Sequence, residues 1–515
     1  MATRVFARNI LLFALFFISS ESIAQDVEVS SIPLPTKEQE EYLRSPRTGA
    51  TRGTGPVMAT SVVVSTVPRD SIFSNSVAGG RTLRQPLQSA NEILLLLDPT
   101  LTEEQIEDAL AEHRLEPLET FPEIGGLVVD ASRRLGPGEL MTSASSVVEA
   151  KSAKLNELIE TLSNDKRFIS VASNSVITPF VLRSAMEPVR APPVIGAASE
   201  RADWGTTDAK FDKIWDQMTG PIKIGVIDVG FFPHEDVDFE QVFPGVLTRD
   251  DHGNHVSGIL CAKHNGIGVK GALKNCVVVV SSGMIMLTGD NAVEGHGIGA
   301  FAAHFSEYIG TVLDFIRRRP DIRVINLSLG YNWMSNFGVD PRAPDSERVR
   351  NEVRSQGRIF ASVLAVAKQK NIAIVMAAGN DSSNLDTPLD AHWASPFNFG
   401  SRLVKQEDGW TNGLVVEAYD QQQRRAKFSN IGGHVSCPGV SIFSTLASSK
   451  TAYGEMSGTS MASPYCAAGL ATVLTLRPEL SLRDAIDCVT EGSSKIENRV
   501  PRLDIEQAVK RCKKQ

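Results

Sequence analysis

The chain has 515 residues, with 60 Asp and Glu against 52 Lys and Arg and a formal net charge of −8. Hydrophobic residues at 42% and charged residues at 22% exclude a chain disordered throughout, and a mildly acidic balance without long basic runs excludes a nucleic-acid binder held by phosphate contacts. Six Cys are too few for a disulfide-built scaffold, while the length is ample for more than one folded unit.

The first element is a predicted signal peptide over residues 1–24. Arg4 and Arg8 precede an uninterrupted apolar run from Ile10 to Ile18, and Ser22-Ile23-Ala24 offers small residues where a signal peptidase reads. At about 1.5 Å per residue that run is too short to cross a hydrocarbon core of about 30 Å, and no later stretch is long enough either. Export to a secreted or periplasmic location is therefore expected, with no integral membrane span. Residues 25–90 are rich in Ser, Thr, Pro, Arg and Gly and read as an irregular leader.

Order is expected to begin at about residue 91. Ile93 to Leu97 is a short buried strand, and Thr102 with Gln105 forms a capping box that opens a helix, with Leu101 stapling onto Ile106. Extended segments follow around Leu118–Phe121 and Gly126–Val129. A second helix carries Leu155, Leu158, Ile159 and Leu162, and a strand over Phe168–Ile177 closes the unit. Within residues 91–180 this is the β-α-β-β-α-β order of a small α+β ferredoxin-like domain, and it holds no reactive centre. Residues 181–203, with Pro188, Pro192 and Pro193, read as a linker.

Residues 204–515 have a different texture. Strand-like runs (222–229, 276–281, 324–329, 372–378) alternate with helical ones (252–263, 298–318, 359–369), which predicts an α/β unit, a parallel sheet with helices on both faces. Residues that could carry chemistry fall at strand ends, where open α/β sheets place their sites. Asp228 ends Ile224-Gly225-Val226-Ile227. His252 opens the segment His252-Gly253-Asn254-His255-Val256-Ser257-Gly258. Asn380 follows Ala378-Gly379 at another strand end, and its amide could donate to a developing oxyanion. Ser460, in Gly458-Thr459-Ser460-Met461-Ala462-Ser463-Pro464, lies at a helix N-terminus whose N–H groups favour negative charge. Pro464 suits the first turn of that helix, and Ser463 reads as an N-cap. His252 and His255 could share a metal, but no third ligand stands at a zinc-site spacing, so His255 is read as structural and no metal ligands are assigned.

Gly-Thr-Ser-Met-Ala-Ser-Pro, His-Gly-X-His-Val-X-Gly and Val-Ile-Asp-X-Gly, in the chain order Asp, His, Ser, resemble the motifs of the subtilisin-like serine peptidases. Phe428-Ser429-Asn430-Ile431-Gly432 and Cys437-Pro438-Gly439-Val440 match the segment before the nucleophile, and Asn254 stands where the family usually has Thr. The resemblance implies a subtilisin-like parallel sheet and a secreted serine endopeptidase working through an acyl-enzyme. Ser460 would be the nucleophile, His252 the general base, Asp228 its orienting carboxylate and Asn380 the oxyanion donor. Ser328, Leu329, Gly330, Ala378 and Gly379 would line the substrate. The ferredoxin-like unit would be a propeptide that inhibits its own protease until cleaved, with the maturation site in the linker. Two further readings stay open, a catalytically silent peptide-binding pseudo-protease and a serine esterase.

No cofactor is required, and calcium binding is not identifiable because the acidic residues are scattered without an EF-hand-like loop. Protein or peptide substrates are the expected partners. Residues 331–357 look like a polar, Arg-rich insertion, either flanking the cleft or forming a solvated loop. Among the cysteines, Cys488 and Cys512 are the favoured bridge, whereas Cys261 and Cys466 read equally well as buried free thiols.

Overall fold

The computed structural model describes residues 32–50, 74–78, 81–85, 88–135, 145–179, 200–228, 230–242, 250–281, 285–286, 301–331, 333–334, 339–383, 385–491, 495–497 and 499–512. The predicted signal peptide lies outside the described residues, as does most of the linker. The leader is more regular than its composition suggests. It contains α1 (Lys37–Arg44), capped by Thr36, and a two-stranded hairpin, Ser74–Ala78 with Arg81–Gln85.

The first unit comprises β1 (Gln88–Leu97), α2 (Glu103–Glu112), β2 (Glu116–Phe121), β3 (Gly126–Asp130), α3 (Ser145–Ser163) and β4 (Phe168–Pro179). Its strands pair antiparallel in the order β4-β1-β3-β2, the split βαβ arrangement. The capping box forms, with the Thr102 amide donating to Gln105 Oε1 at 2.9 Å.

The five-residue apolar run in β1 has a two-sided cause. Ile93, Leu95 and Leu97 pack with Ile106, Leu110, Leu155 and Leu158 of the unit's own helices. Leu94 and Leu96 point the other way, into a cluster with Phe305, Ile309 and Phe360 of the second unit. A strand with period-two side chains reads as continuously apolar only when both faces are covered.

The second unit is built on β5 (Ile222–Ile227), β6 (Phe239–Gln241), α4 (Asp251–Cys261), β7 (Cys276–Ser281), β8 (Phe301–His304), α5 (Phe305–Arg318), β9 (Val324–Leu327), β10 (Leu329–Gly330) and α6 (Glu347–Gln369). It continues through β11 (Ala373–Ala377), α7 (Pro396–Asp408), β12 (Gly413–Tyr419), β13 (Val435–Pro438), α8 (Thr459–Leu476), α9 (Leu482–Thr490) and α10 (Ile505–Arg511). Seven strands form the expected parallel sheet in the order β13-β12-β11-β9-β5-β7-β6. Alternate residues of β11 serve opposite faces. Ala373 and Val375 pack towards α8 residues, while Ile374 and Met376 pack towards α5 and α6.

Three expectations are corrected here. The helix expected over 298–318 starts only at Phe305, because residues 301–304 form β8, which pairs with β4. Of the two readings of residues 331–357, the solvated loop does not hold for the described residues. Tyr331 and Trp333 stack at 4.3 Å with both rings fully buried, and from Glu347 the chain is already in α6, whose Val353 and Gln356 are buried. Cys261 is not a free thiol but bridges Cys276; Cys488 bridges Cys512, and Cys437 and Cys466 are free and buried. Among the described residues no helix is long and apolar enough to cross a membrane.

β4 does more than close the first sheet. Its end pairs antiparallel with β10, Thr178 opposite Gly330 and Pro179 opposite Leu329. Behind it, Ser173 and Ser175 donate to Glu352 Oε1 of α6 at 2.5 and 2.7 Å, and the Gln356 amide donates to the Ser173 carbonyl at 3.1 Å. Asn174 exchanges hydrogen bonds with Ser306 at the start of α5, at 3.0 and 3.1 Å.

Candidate active site

Three neighbouring strands empty at one edge of the parallel sheet. β5 runs into Asp228, β9 into Ser328 and β11 into Ala378, Gly379 and Asn380. The registers Leu327↔Ile227 and Leu327↔Met376 bring these ends level. The turn after Asp228 uses Gly230 at φ 65°, where a Cβ would lie 2.5 Å from the Asp250 amide nitrogen, so the chain passes directly under the start of α4.

That passage brings the second group into reach. Asp250 caps α4 by accepting from the His252 amide at 2.8 Å, which holds His252 in the first turn. The imidazole Nδ1 then lies 2.6 Å from Asp228 Oδ1. Both side chains are buried, and His252 Nε2 makes no hydrogen bond among the described residues. With Nδ1–H donated to the carboxylate, Nε2 is the nitrogen left to accept a proton. Burial disfavours the charged imidazolium, but the Asp228 charge and hydrogen bond, aided by the Asp250 charge, outweigh it and raise the imidazole pKa above 6.5.

Asn254 secures the same passage with both ends of its amide. Its oxygen accepts from the Phe232 amide at 2.7 Å, and its nitrogen donates to the Phe232 carbonyl at 2.9 Å. The loop following Asp228 is thereby tied to the helix carrying His252. A threonine would have to accept and donate through a single oxygen, whereas the amide uses two separate atoms.

Ser460 is the second residue of α8, and its hydroxyl donates to the Ser328 carbonyl at 3.5 Å. Asn380 reaches the same helix start, where its side-chain oxygen accepts from the Thr459 amide and hydroxyl, each at 2.9 Å. That engagement turns the amide oxygen to Thr459 and the NH₂ end to the opposite side. Gly379, at φ 97°, makes the turn and donates to Thr459 Oγ1 at 3.0 Å. Ala378 and Gly379 stand beside Asn380, but their backbones already serve the fold. The Ala378 amide donates to Val416 and its carbonyl accepts from Asn430, while the Gly379 carbonyl accepts from the Asn430 amide.

Two motif residues have other positions than expected. Pro464 is not in the first turn of α8, which begins at Thr459, and its missing N–H removes the intrahelical donor for the Ser460 carbonyl. Ser463 is not an N-cap. Its hydroxyl donates to Asn326 Oδ1 at 2.6 Å and meets Ser328 Oγ at 2.7 Å, while Asn326 Nδ2 donates to Ser328 Oγ at 3.0 Å. This buried polar triangle bolts α8 to β9 beside Ser460. Sequence reasoning missed it, although an amide inside the apolar run Val324–Leu327 is a detectable signal, because a buried polar side chain needs a partner.

His255 is structural. It is fully buried, its Nε2–H faces the Ile442 and Gly454 carbonyls at 2.9 and 3.2 Å, and burial drives its pKa down to about 3. Among the described residues no three His, Cys, Asp or Glu gather as a metal site.

The arrangement supplies an acid-backed imidazole, a hydroxyl at a helix N-terminus and an oriented amide. We expect Asn380→Ala to lower kcat by about 10²–10³ with little change in KM, as for loss of one oxyanion donor. Steady-state kinetics on a peptide substrate will check it.

Comparison with known proteins adds a second line. The pattern of the Subtilase family matches residues 222–498, more than half of the chain. The chain is similar to the Thermophilic serine proteinase of Bacillus sp. (strain AK1), 29% identical over 303 residues, covering 55% of this chain and 60% of the relative. It is 27% identical over 309 residues to the Minor extracellular protease Epr of Bacillus subtilis (strain 168), covering 56% and 39%. Subtilisin BL of Lederbergia lenta is 27% identical over 273 residues, covering 51% of this chain and 80% of the relative. The first two relatives are thus matched over less than two thirds of their own length.

Proposed function

Since the chain belongs to the subtilase family, we propose that it is an exported serine-type endopeptidase made as a self-processed zymogen. The observation that carries the catalytic reading is the 2.6 Å contact between buried Asp228 and His252 at the same sheet edge as Ser460 and Asn380.

In this reading His252 Nε2 takes the Ser460 proton as Oγ attacks the carbonyl carbon of the peptide to be cut. Asp228 holds the imidazole in the tautomer with Nε2 unprotonated and stabilises the imidazolium that forms. Negative charge building on the former carbonyl oxygen meets the Asn380 NH₂ and the Ser460 backbone N–H at the α8 N-terminus. The imidazolium gives its proton to the departing amine, and water, activated by the same base, releases the acyl group. Substrate binds as a strand along β10, using main-chain groups of Ser328 to Gly330.

The pairing of β4 with β10 supports the first unit as an intramolecular inhibitor, because the edge meant for substrate is already filled. A serine-directed fluorophosphonate tests the reading. It should label the matured protein on Ser460, and Ser460→Ala should abolish both labelling and self-cleavage. Maturation of the purified mutant unaided would overturn it.

Glu352 makes the inhibited state pH-dependent. Enclosure raises its carboxyl pKa above the ordinary 4.5, against the opposing hydrogen bonds from Ser173 and Ser175 and the charge of Arg348. The docked state therefore holds its extra proton, and its hold on the first unit is strongest below about pH 4.5, weakening as pH rises through the raised pKa. Release of the cleaved first unit should accelerate over that range, and Glu352→Gln should flatten the dependence. Size-exclusion chromatography of the nicked protein across pH will measure it.

A further inference from the structure

We propose, resting on the zymogen reading, that residues 32–44 are a strap seated on the α6–α7 surface, fastening the first unit to the second from outside the cleft. Displacement of this strap, rather than self-cleavage, then sets how fast the enzyme is freed.

The strap has a footing on each unit. On the second, the Ile32 amide donates to both oxygens of Glu407 in the last turn of α7, at 2.6 and 2.7 Å. The next carbonyl, that of Pro33, accepts from Ser362 of α6 at 3.3 Å. These two helices lie side by side, with the Phe360 and Phe397 rings 4.7 Å apart. Ile32 and Leu34 pack against the apolar cluster that closes the seam, to which the first unit gives Leu94, Phe121 and Ile124 and the second gives Phe360 and Leu403. Pro33 and Pro35 favour an extended path through this stretch, which lowers the entropy lost in laying it down.

The chain then turns into α1 and takes hold of the first unit. Gln39 Nε2 donates to the Asp98 carbonyl at 2.9 Å. Tyr42 and Leu43 are 4% and 1% exposed and join the core formed by Ile106, Leu110 and Leu155. Arg44 meets Glu123 at 2.9 Å, and the same carboxylate oxygen meets Arg317 of α5 at 3.2 Å, so one ion cluster ties leader, first unit and second unit together. Ordering such a run costs conformational entropy that a free leader would keep, and contacts on both sides of a seam offset it.

The footing is remote from the cleft. α6 leads into β11 and α7 into β12, so the ends of both helices lie towards the edge where those parallel strands begin. Asp228, Ser328 and Asn380 stand past the other ends of their strands. A cut in the chain between the two units leaves the strap and the first unit on one polypeptide. That fragment is held by two linked contacts, one across the sheet face and one on α6–α7. Linking two sites in this way raises the hold by about 10²–10⁴ over either alone, because one contact re-forms before the other is lost.

The experiment follows the purified full chain at one fixed pH, reading self-cleavage by intact mass and departure of the first unit by size-exclusion chromatography. With Ile32→Asp and Leu34→Asp together, departure should be at least about 100-fold faster. The rate of self-cleavage, and kcat and KM of the freed enzyme, should stay unchanged. Glu407→Ala, at the exposed end of α7, should also speed departure, and should add nothing when combined with the two strap substitutions. A general loss of stability would not reproduce that coupling. Unchanged departure in either variant, or a Glu407→Ala effect that simply adds to the others, overturns the strap while leaving the zymogen reading intact. Absence of any Ser460-dependent self-cleavage in the native chain overturns both.

Discussion

His252→Ala and Ser460→Ala will each lower kcat about 10⁶-fold, and the double substitution will lose little more. A hydroxyl is a poor nucleophile until its proton is taken, so removing the acceptor and removing the hydroxyl abolish the same step. The His252 ring is fixed on one side by Asp228 at 2.6 Å and sits in the first turn of α4. His255, three residues on, is committed to two main-chain carbonyls. In the proposed mechanism, residual catalysis comes from Asn380 and the helix N-terminus acting on the oxyanion. Single-turnover kinetics on an activated peptide, read beside intact mass, will measure both losses.

Asp228→Asn will lower kcat about 10⁴-fold while leaving the fold intact. It will also move the acid limb of kcat/KM to lower pH. The sign follows from the forces on His252: burial favours the neutral ring, while the Asp228 charge and hydrogen bond, with the Asp250 charge, raise its pKa above 6.5. A base must be neutral to act, so in the native enzyme activity rises with pH through that raised value. Without the Asp228 charge, burial prevails more fully and the ring stays neutral in more acidic solution. A pH–rate profile that keeps its limb unmoved would show that the carboxylate does not govern this imidazole.

Much of this was legible because the relevant signals are local. The strand ends at Asp228 and Asn380, the helix opening at His252 and the capping box of Thr102 and Gln105 each lie within a few residues of one another. The β-α-β-β-α-β order was readable for the same reason. Features that depend on distant contacts were not. The first half of α6 is rich in Arg and Glu and carries few apolar residues, so it reads as solvated, yet Glu352 and Gln356 bond β4 across sequence gaps of 177 and 183 residues. The bridge between Cys261 and Cys276 joins a helix end to a strand start, and an apolar helical stretch around Cys261 says nothing of that. Ser463 resembled a cap because its partner, Asn326, comes from another strand.

The two-residue ladder between β4 and β10 also bears on what the enzyme can digest. A guest that replaces β4 must bring N–H and C=O groups not already spent in its own helices or sheets. Compact native globules rarely offer such a stretch, so they would be cut only as fast as they melt locally. On the proposed endopeptidase reading, the site would favour unravelled chains over well-folded ones.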